Sequence, residues 1–226
     1  MGSHHFGKSH RHDTSTAQGP FSLPERPVRV GIAGPIGTGK TTLLIELVRY
    51  AHDRGIVCGA ITNDVYTTVD ADIVARSGVL QDDRLKGIAT GGCPHTAIRD
   101  DVSVNDAAVV ELALGHPEVD LVFIESGGDN LTTTFSRELV HKWICVIDVS
   151  AGDKIPSKGG PGITDSDMLV VNKTDLAEHV HASLEIFDRD LAAARGDKPY
   201  VLATNTEPAT IESVFEIVHG WVKEPV

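Results

Sequence analysis

Val28, Val30 and Ile32 alternate with other residues, and the run ends in a glycine-rich turn that gives way to Leu43, Leu44, Leu47 and Val48 at helical spacing. A period of two predicts a strand and a period near 3.6 a helix, so the chain opens as strand, loop, helix. The alternation then recurs. Ile56 to Ile61 predicts a second strand, Ala107 to Leu114 a helix, and Val119 to Ile124 a continuous apolar strand. Trp143 to Val149 and Met168 to Val171 predict two further buried strands. Leu184, Phe187, Leu191 and Ala194 share one helical face, Pro199 to Ala203 predicts a last strand, and Ile211 to Trp221 a last helix. Strands alternating with helices imply βαβ units, hence an α/β fold with a mostly parallel sheet flanked by helices on both faces. No internal repeat interrupts this pattern.

Composition narrows the picture. At 226 residues the chain has the length of one large domain, and 41% hydrophobic with 23% charged residues is ordinary globular usage. Residues 1–27, rich in Gly, Ser, His and Pro, are expected to form a flexible tail, leaving 28–226 as a single domain. Four of the eleven histidines, His4, His5, His10 and His12, lie in that tail, as in a metal-gathering segment or the start of an expression tag. The formal net charge of -12, with no cluster of Lys and Arg, argues against a nucleic-acid backbone as partner. Apolar runs such as Leu121 to Ile124 are far shorter than the roughly 20 residues of a membrane span, and the polar start is not a secretory signal. A soluble, cytoplasmic protein is expected. Three cysteines, Cys58, Cys93 and Cys145, suit a reducing compartment and read as core filler, ligand or nucleophile.

The first loop carries the strongest chemical signal. Gly34-Pro35-Ile36-Gly37-Thr38-Gly39-Lys40-Thr41, followed by Thr42, fits G-x-x-x-x-G-K-[ST] between a predicted strand and a predicted helix. Its glycines let backbone N–H groups curl around a polyphosphate at a helix N-terminus, where orphan donors and the dipole favour negative charge. Lys40 is expected to reach the β- and γ-phosphates, and Thr41 to hold Mg²⁺ through its hydroxyl. The expected architecture is thus that of a phosphate-loop NTPase.

Asn172-Lys173-Thr174-Asp175 follows the apolar run Met168 to Val171 and so sits at the carboxyl end of a strand, where ligands bind in open α/β sheets. The Asp175 carboxylate offers two acceptors. Guanine presents N1–H and N2–H₂ side by side and adenine has no such pair, so a carboxylate there selects GTP over ATP. A helix cap at Asp175 is the plainer alternative. Glu125 ends another predicted strand before Ser126-Gly127-Gly128, placing an acidic residue for Mg²⁺ and glycines for close approach to the γ-phosphate. Asp64, in Thr62-Asn63-Asp64-Val65-Tyr66, is a second candidate for Mg²⁺ or for placing the attacking water; an Asx-turn is its alternative.

Thr90-Gly91-Gly92-Cys93-Pro94-His95 sets a thiol and an imidazole two residues apart, a pair that suits Ni²⁺, Zn²⁺ or Cu ions. Two ligands do not complete a four-coordinate site, so other residues join or two chains each give Cys93 and His95 across a two-fold axis. A buried thiol beside a surface histidine, or a Cys93 nucleophile activated by His95, are the other readings.

Taken together these motifs resemble the urease accessory GTPases, nickel-delivery chaperones of the phosphate-loop class that also includes the hydrogenase nickel-insertion GTPases. The matching segments run from Val28 to about Val201: the phosphate loop, Thr-Asn-Asp-Val-Tyr-Thr, Thr-Gly-Gly-Cys-Pro-His-Thr-Ala-Ile-Arg, Glu-Ser-Gly-Gly-Asp-Asn-Leu, Lys-Gly-Gly-Pro-Gly-Ile-Thr and Asn-Lys-Thr-Asp. The resemblance implies slow GTP hydrolysis coupled to nickel transfer, with GTP, Mg²⁺ and Ni²⁺ as cofactors and cargo and Zn²⁺ as the other candidate metal. It implies a homodimer on GTP and nickel binding, with Cys93 and His95 of both subunits on the metal. Apo-urease and other accessory proteins would be the partners. Carried onto this chain, Gly37, Gly39, Lys40 and Thr41 hold phosphate and Mg²⁺, Asp64 and Glu125 act near Mg²⁺ and the γ-phosphate, and Asn172, Lys173 and Asp175 hold guanine. The chain departs from the family pattern at Ala89, where Glu is usual, at Thr68-Val69-Asp70, where Lys-Glu-Asp is usual, and at Ser157, where Arg is usual.

Three rivals remain at this level. A hydrogenase nickel-insertion GTPase shares the chemistry, and the Glu-Ser-Gly-Gly-Asp-Asn segment argues against it. A small-molecule kinase would prefer ATP, which Asp175 disfavours. A regulatory GTP-binding module would keep Cys93 and His95 as structural residues.

Overall fold

A computed structural model describes residues 26–64, 69–91, 96–128 and 134–224. Seven strands form one parallel sheet: β1 (Val28–Ala33), β2 (Cys58–Asp64), β3 (Leu85–Ala89), β4 (Leu121–Glu125), β5 (Lys142–Asp148), β6 (Met168–Asn172) and β7 (Tyr200–Leu202). Their spatial order is β3-β2-β4-β1-β5-β6-β7, with every neighbouring pair parallel. The order reverses around β1, and such a reversal opens a crevice at the carboxyl ends of the strands.

The central strands are apolar on both faces because each face packs its own core. On one side α1 (Lys40–Asp53) and α7 (Pro208–Lys223) cover Val30, Ile32, Phe123, Ile144 and Val170, with α2 (Val69–Ser77) beside them. On the other side α3 (Ser103–Gly115) and α6 (Leu184–Arg195) cover Ile61, Val122, Ile124, Trp143 and Leu169. Two short helices, α4 (Ile155–Lys158) and α5 (Pro161–Thr164), close that second face, burying Ile163. Cys58 and Cys145 are free and buried, one in each core, and burial pushes both thiols up to about 12. Both are core filler.

The strands and long helices expected from periodicity are present, with shifted ends. The second strand ends at Asp64 rather than Ile61, because polar Thr62 and Asn63 are buried and the register runs on to pair Asp64 with Ala89 of β3. The fourth strand takes in Glu125, which is fully buried. Four pieces carry no clear periodicity and were not anticipated: α2, the half-exposed edge strand β3, and the small helices α4 and α5. A π-helical turn, Thr96–Asp100, also precedes α3. Among the described residues no helix is long and apolar enough to cross a membrane. The expected tail lies outside the described residues except for Arg26 and Pro27, and Arg26 pairs with Asp120 at 2.5 Å.

Candidate nucleotide site

The phosphate loop leaves β1 at Gly34 and enters α1 at Lys40. Gly39, the residue before α1, has φ 94° and offers no side-chain cap, so the first N–H groups of α1 are left for a ligand. A side chain at Gly39 is excluded twice over: the backbone is left-handed, and a Cβ would lie 2.4 Å from Asn172 Nδ2. Thr38 is buried and its hydroxyl donates to Pro35 O at 2.9 Å, while Lys40 Nζ donates to the same carbonyl at 3.1 Å. These two bonds hold the loop as a closed ring around its own centre.

Beside the loop lies a cavity of about 400 Å³. The loop supplies Ile36, Gly37, Gly39, Lys40, Thr41 and Thr42 to its wall, and the facing strand ends supply Asp64, Gly127 and Gly128. Gly128 has φ +85°, and a Cβ on it would approach Ile36 Cγ1 to 2.5 Å, so the glycine pair permits close passage of the two loops. Asp70 of α2 also faces this space.

Glu125 stands behind Thr41. The Thr41 hydroxyl donates to Glu125 Oε1 at 2.7 Å and lies 3.4 Å from Asp70 Oδ1. Burial, followed by the charge of Asp70, pushes the Glu125 carboxyl up to about 8, against the opposing pull of Thr41 and Lys40. Asp70 is raised as well, by burial and by Asp64. Glu125 Oε2 is buried without a hydrogen-bond partner. An orphaned carboxylate oxygen next to a threonine hydroxyl is a hard-oxygen donor set, which fits Mg²⁺. Among the described residues no group of three or more His, Cys, Asp or Glu side chains forms a metal cage.

The other end of the crevice is built by β6. Asn172 is buried; its Nδ2 donates to Thr38 O at 2.7 Å, and its Oδ1 accepts from the Asn205 N–H at 3.0 Å. Lys173, in a left-handed conformation with φ 61°, sends Nζ to Gly37 O at 2.5 Å and to Asp148 Oδ2 at 2.8 Å. Burial alone would raise the Asp148 carboxyl, but hydrogen bonds from Lys173 and Ser150 hold it below the usual carboxylate range. Asn172 and Lys173 therefore clamp the phosphate loop. Asp175 is exposed, in a short helical turn, with Thr204 Oγ1 3.3 Å from its Oδ1.

Of the expected nucleotide residues, Ile36, Gly37, Gly39, Lys40, Thr41, Thr42, Asp64, Gly127 and Gly128 line the cavity, and Glu125, Asn172 and Lys173 bond to the loop beside it, whereas Cys93 and His95 fall outside the described residues. Sequence reasoning missed Asp70, Asp148 and Asn205, the last of which donates to Gly39 O at 2.9 Å and keeps its buried Oδ1 unpartnered. Asp148 and Asn205 lie at or just beyond the carboxyl ends of β5 and β7, so the strand-end rule applied to every strand would have marked both.

The CobW/HypB/UreG nucleotide-binding domain family matches residues 28–202, from β1 through β7. This chain belongs to that family. Its full-length likeness is to urease accessory proteins. UreG of Mycobacterium sp. (strain KMS) is 48% identical over 220 residues, covering 97% of this chain and 94% of the relative. UreG of Corynebacterium urealyticum is 50% identical over 200 residues, covering 88% and 95%. Among solved structures, HypB from Helicobacter pylori in complex with nickel superposes with a TM-score of 0.74 at 19% identity, over 88% of each chain. HypB from Archaeoglobus fulgidus gives 0.69 at 22% identity, over 88% of this chain and 92% of that one. At that identity the two HypB structures speak to the fold, which is the phosphate-loop NTPase architecture expected from the first loop.

Proposed function

We propose that the chain is a GTP-hydrolysing metallochaperone that takes up nickel as cargo between two copies of itself and releases it to apo-urease. The observation that supports this reading is that one frame carries both the phosphate loop and the strand end bearing Asp175. The phosphate loop is tied through Asn172 and Lys173 to the strand end that displays Asp175. A phosphate cradle alone serves any nucleotide; an exposed carboxylate on the same rigid frame selects guanine.

In this reading Gly34 to Thr42 hold the phosphates, with the α1 N–H groups and Lys40 balancing their charge, and Gly127 and Gly128 line the γ-phosphate side. Thr41 would hold Mg²⁺, with Glu125 and Asp64 around it, directly or through water. When bound, Mg²⁺ neutralises charge developing on the phosphate oxygens. Asp64 faces the same space and orients the attacking water. Hydrolysis needs placement and charge stabilisation more than covalent chemistry, and the buried Glu125, Thr41 and Lys40 provide a fixed polar frame for both.

Cys93 and His95 would bind Ni²⁺, or Zn²⁺ in competition, with the same pair from a second copy completing four-coordination. The near full-length likeness to urease accessory proteins supports apo-urease and its other accessory proteins as partners. Light scattering with a GTP analogue and Mg²⁺, with and without Ni²⁺, tests the reading on the parent and on Cys93→Ala. Nickel should double the mass of the parent alone. A monomeric parent that still binds GTP would leave a regulatory GTP-binding module as the better account.

A further inference from the structure

Away from the nucleotide crevice, at the amino ends of β2 and β3, the chain holds an arginine that its own acids do not neutralise. Among the described residues Arg29, Arg84 and Arg195 each bury an Nε without a partner. Two of the three are satisfied elsewhere on the guanidinium. Arg29 pairs with Asp106 at 2.8 Å, and Arg195 bonds Ser166 Oγ and the carbonyls of Ile163, Ser166 and Pro199. Arg84, which ends a short 3₁₀ turn just before β3, makes one long contact, from Nη1 to Cys58 O at 3.5 Å, and no ion pair among the described residues. Acidic groups close to it are engaged with others. Asp120, which with Arg84 acts on the Cys58 thiol, accepts from Arg26 at 2.5 Å and from the Val57 N–H at 3.2 Å, and Asp83 lies 3.6 Å from His116 Nε2. An arginine left without a carboxylate stands out in a chain of formal net charge -12.

Arg84 lines a cavity of about 290 Å³ between the carboxyl end of α1 and the turn that follows α2. Val48, Ile56, Val79 and Leu80 give it an apolar wall. His52 borders both this cavity and a neighbouring one of about 360 Å³, which Arg49 and Asp53 also line. Asp53 lies 3.8 Å from His52 Nδ1, and Arg49 pairs with Glu46 at 3.3 Å, so Arg84 is the cation left over. The negative end of α1 does not fill that role. Its Ala51 carbonyl accepts from the Arg54 and Ile56 N–H groups and its His52 carbonyl from Gly55, each at 3.0 Å. Helix α1 has 14 residues, on the order of 20 Å, and its first residues, Lys40 and Thr41, belong to the phosphate loop. The cavity at its far end is therefore no part of the nucleotide crevice.

We propose that this cavity is a second ligand site, which binds a small organic carboxylate with its charge on the Arg84 guanidinium and its apolar body against Val48, Ile56, Val79 and Leu80. A partly buried cation with a single weak acceptor is costly, and a carboxylate relieves that cost through charge-assisted bonds to the planar guanidinium. The aliphatic wall sets the class of anion. Apolar surface beside the charge rewards a ligand that carries carbon there, whereas a bare inorganic anion gains nothing from it and gives up its hydration. The volume lies near the lower end of small-molecule sites, so the body is a short chain or a single ring. The site is independent of GTP and nickel and adds to the function proposed above.

The test titrates the full chain with benzoate, in the presence of GDP and Mg²⁺ so that the phosphate loop is filled, and follows backbone amides by NMR. Benzoate should shift the amides of residues 55–58 and 78–84 saturably, with a Kd of about 1 mM or below. Benzyl alcohol, the same ring without the charge, and inorganic phosphate, charge without the ring, should each bind at least about tenfold more weakly. Arg84→Gln should weaken benzoate about ten- to a hundredfold, the worth of bonds to a charged group, and Val79→Trp, which fills the apolar end, should abolish the shifts. No saturable change at those amides by about 10 mM benzoate overturns the site. Benzyl alcohol binding as well as benzoate, or Arg84→Gln binding like the parent, overturns the role of the guanidinium. Phosphate binding as tightly as benzoate overturns the organic class. Should Arg84→Gln fail to fold, the three probes on the parent and the blocked Val79→Trp cavity decide.

Discussion

Glu125→Gln tests the electrostatic reasoning most directly. Glu125 is wholly buried, its carboxyl is raised from 4.5 to about 8, and its Oε2 has no partner. In the metal-free protein the folded state therefore holds a proton over a pH range in which the unfolded chain has released it. Its contribution to stability is complete below about pH 4.5 and is lost as the pH rises through about 8. At 1.36 kcal/mol per pH unit, full realisation of that rise corresponds to roughly 5 kcal/mol. Asp70, raised by burial and by Asp64, adds in the same direction. Urea denaturation in a chelator at about pH 5, 6.5 and 8 should show the parent losing several kcal/mol across the series. Glu125→Gln, which keeps an acceptor for Thr41 without the charge, should lose much less and be the more stable protein at pH 8. Adding Mg²⁺ with a GTP analogue should flatten the parent's profile, because a cation beside the carboxylate favours its ionised form. Parallel profiles for parent and variant in the chelator would refute the argument, since they would mean that Glu125 titrates alike in the folded and unfolded chain.

Asp175→Ala removes the exposed acceptor pair and should lower affinity for GDP about ten- to a hundredfold, the worth of hydrogen bonds to a charged group, with ADP binding unchanged; equal losses for both nucleotides would remove Asp175 from base selection. Gly39→Ala puts a Cβ 2.4 Å from Asn172 Nδ2 at φ +94° and should cost about 1–3 kcal/mol of stability as well as nucleotide affinity, measured by melting and by titration with a fluorescent nucleotide; an unshifted melting point would show that the loop relaxes freely. Cys58 and Cys145, both raised to about 12 by burial, should take up no iodoacetamide in the native protein at pH 8, as read by peptide mass spectrometry, and label at either position before unfolding would contradict their place in the two cores.

The sequence alone was enough for whatever depends on contiguous residues. A parallel-sheet strand buried on both faces is mostly apolar, so β4, β5 and β6 stand out by their hydrophobic runs and β1 by its alternation of Val28, Val30 and Ile32. A phosphate loop needs its glycines, lysine and threonine at fixed offsets, because one strand-to-helix turn does the whole task. The placement of Asp175 just after a strand end is legible for the same reason. The edge strand β3 and helix α2 were not legible: each is short and half-exposed, and their pairing partners fix them more than their own pattern does.

Only the tertiary structure decided how these pieces act together. Asn172 and Lys173 read in sequence as base-binding residues, yet their side chains reach back more than a hundred positions to grip Thr38 and Gly37. Asp70 figures in the sequence only within a segment that departs from the family pattern, and it becomes part of the crevice because α2 lays it beside Thr41. Asn63 and Asn105, 42 residues apart, look like ordinary polar residues until the fold buries both and leaves each as the other's partner. Local pattern governs which element forms, because backbone and side-chain periodicity are local; the pairing of buried polar groups is set by the sheet order, which brings β2, β4 and the start of α3 to one place.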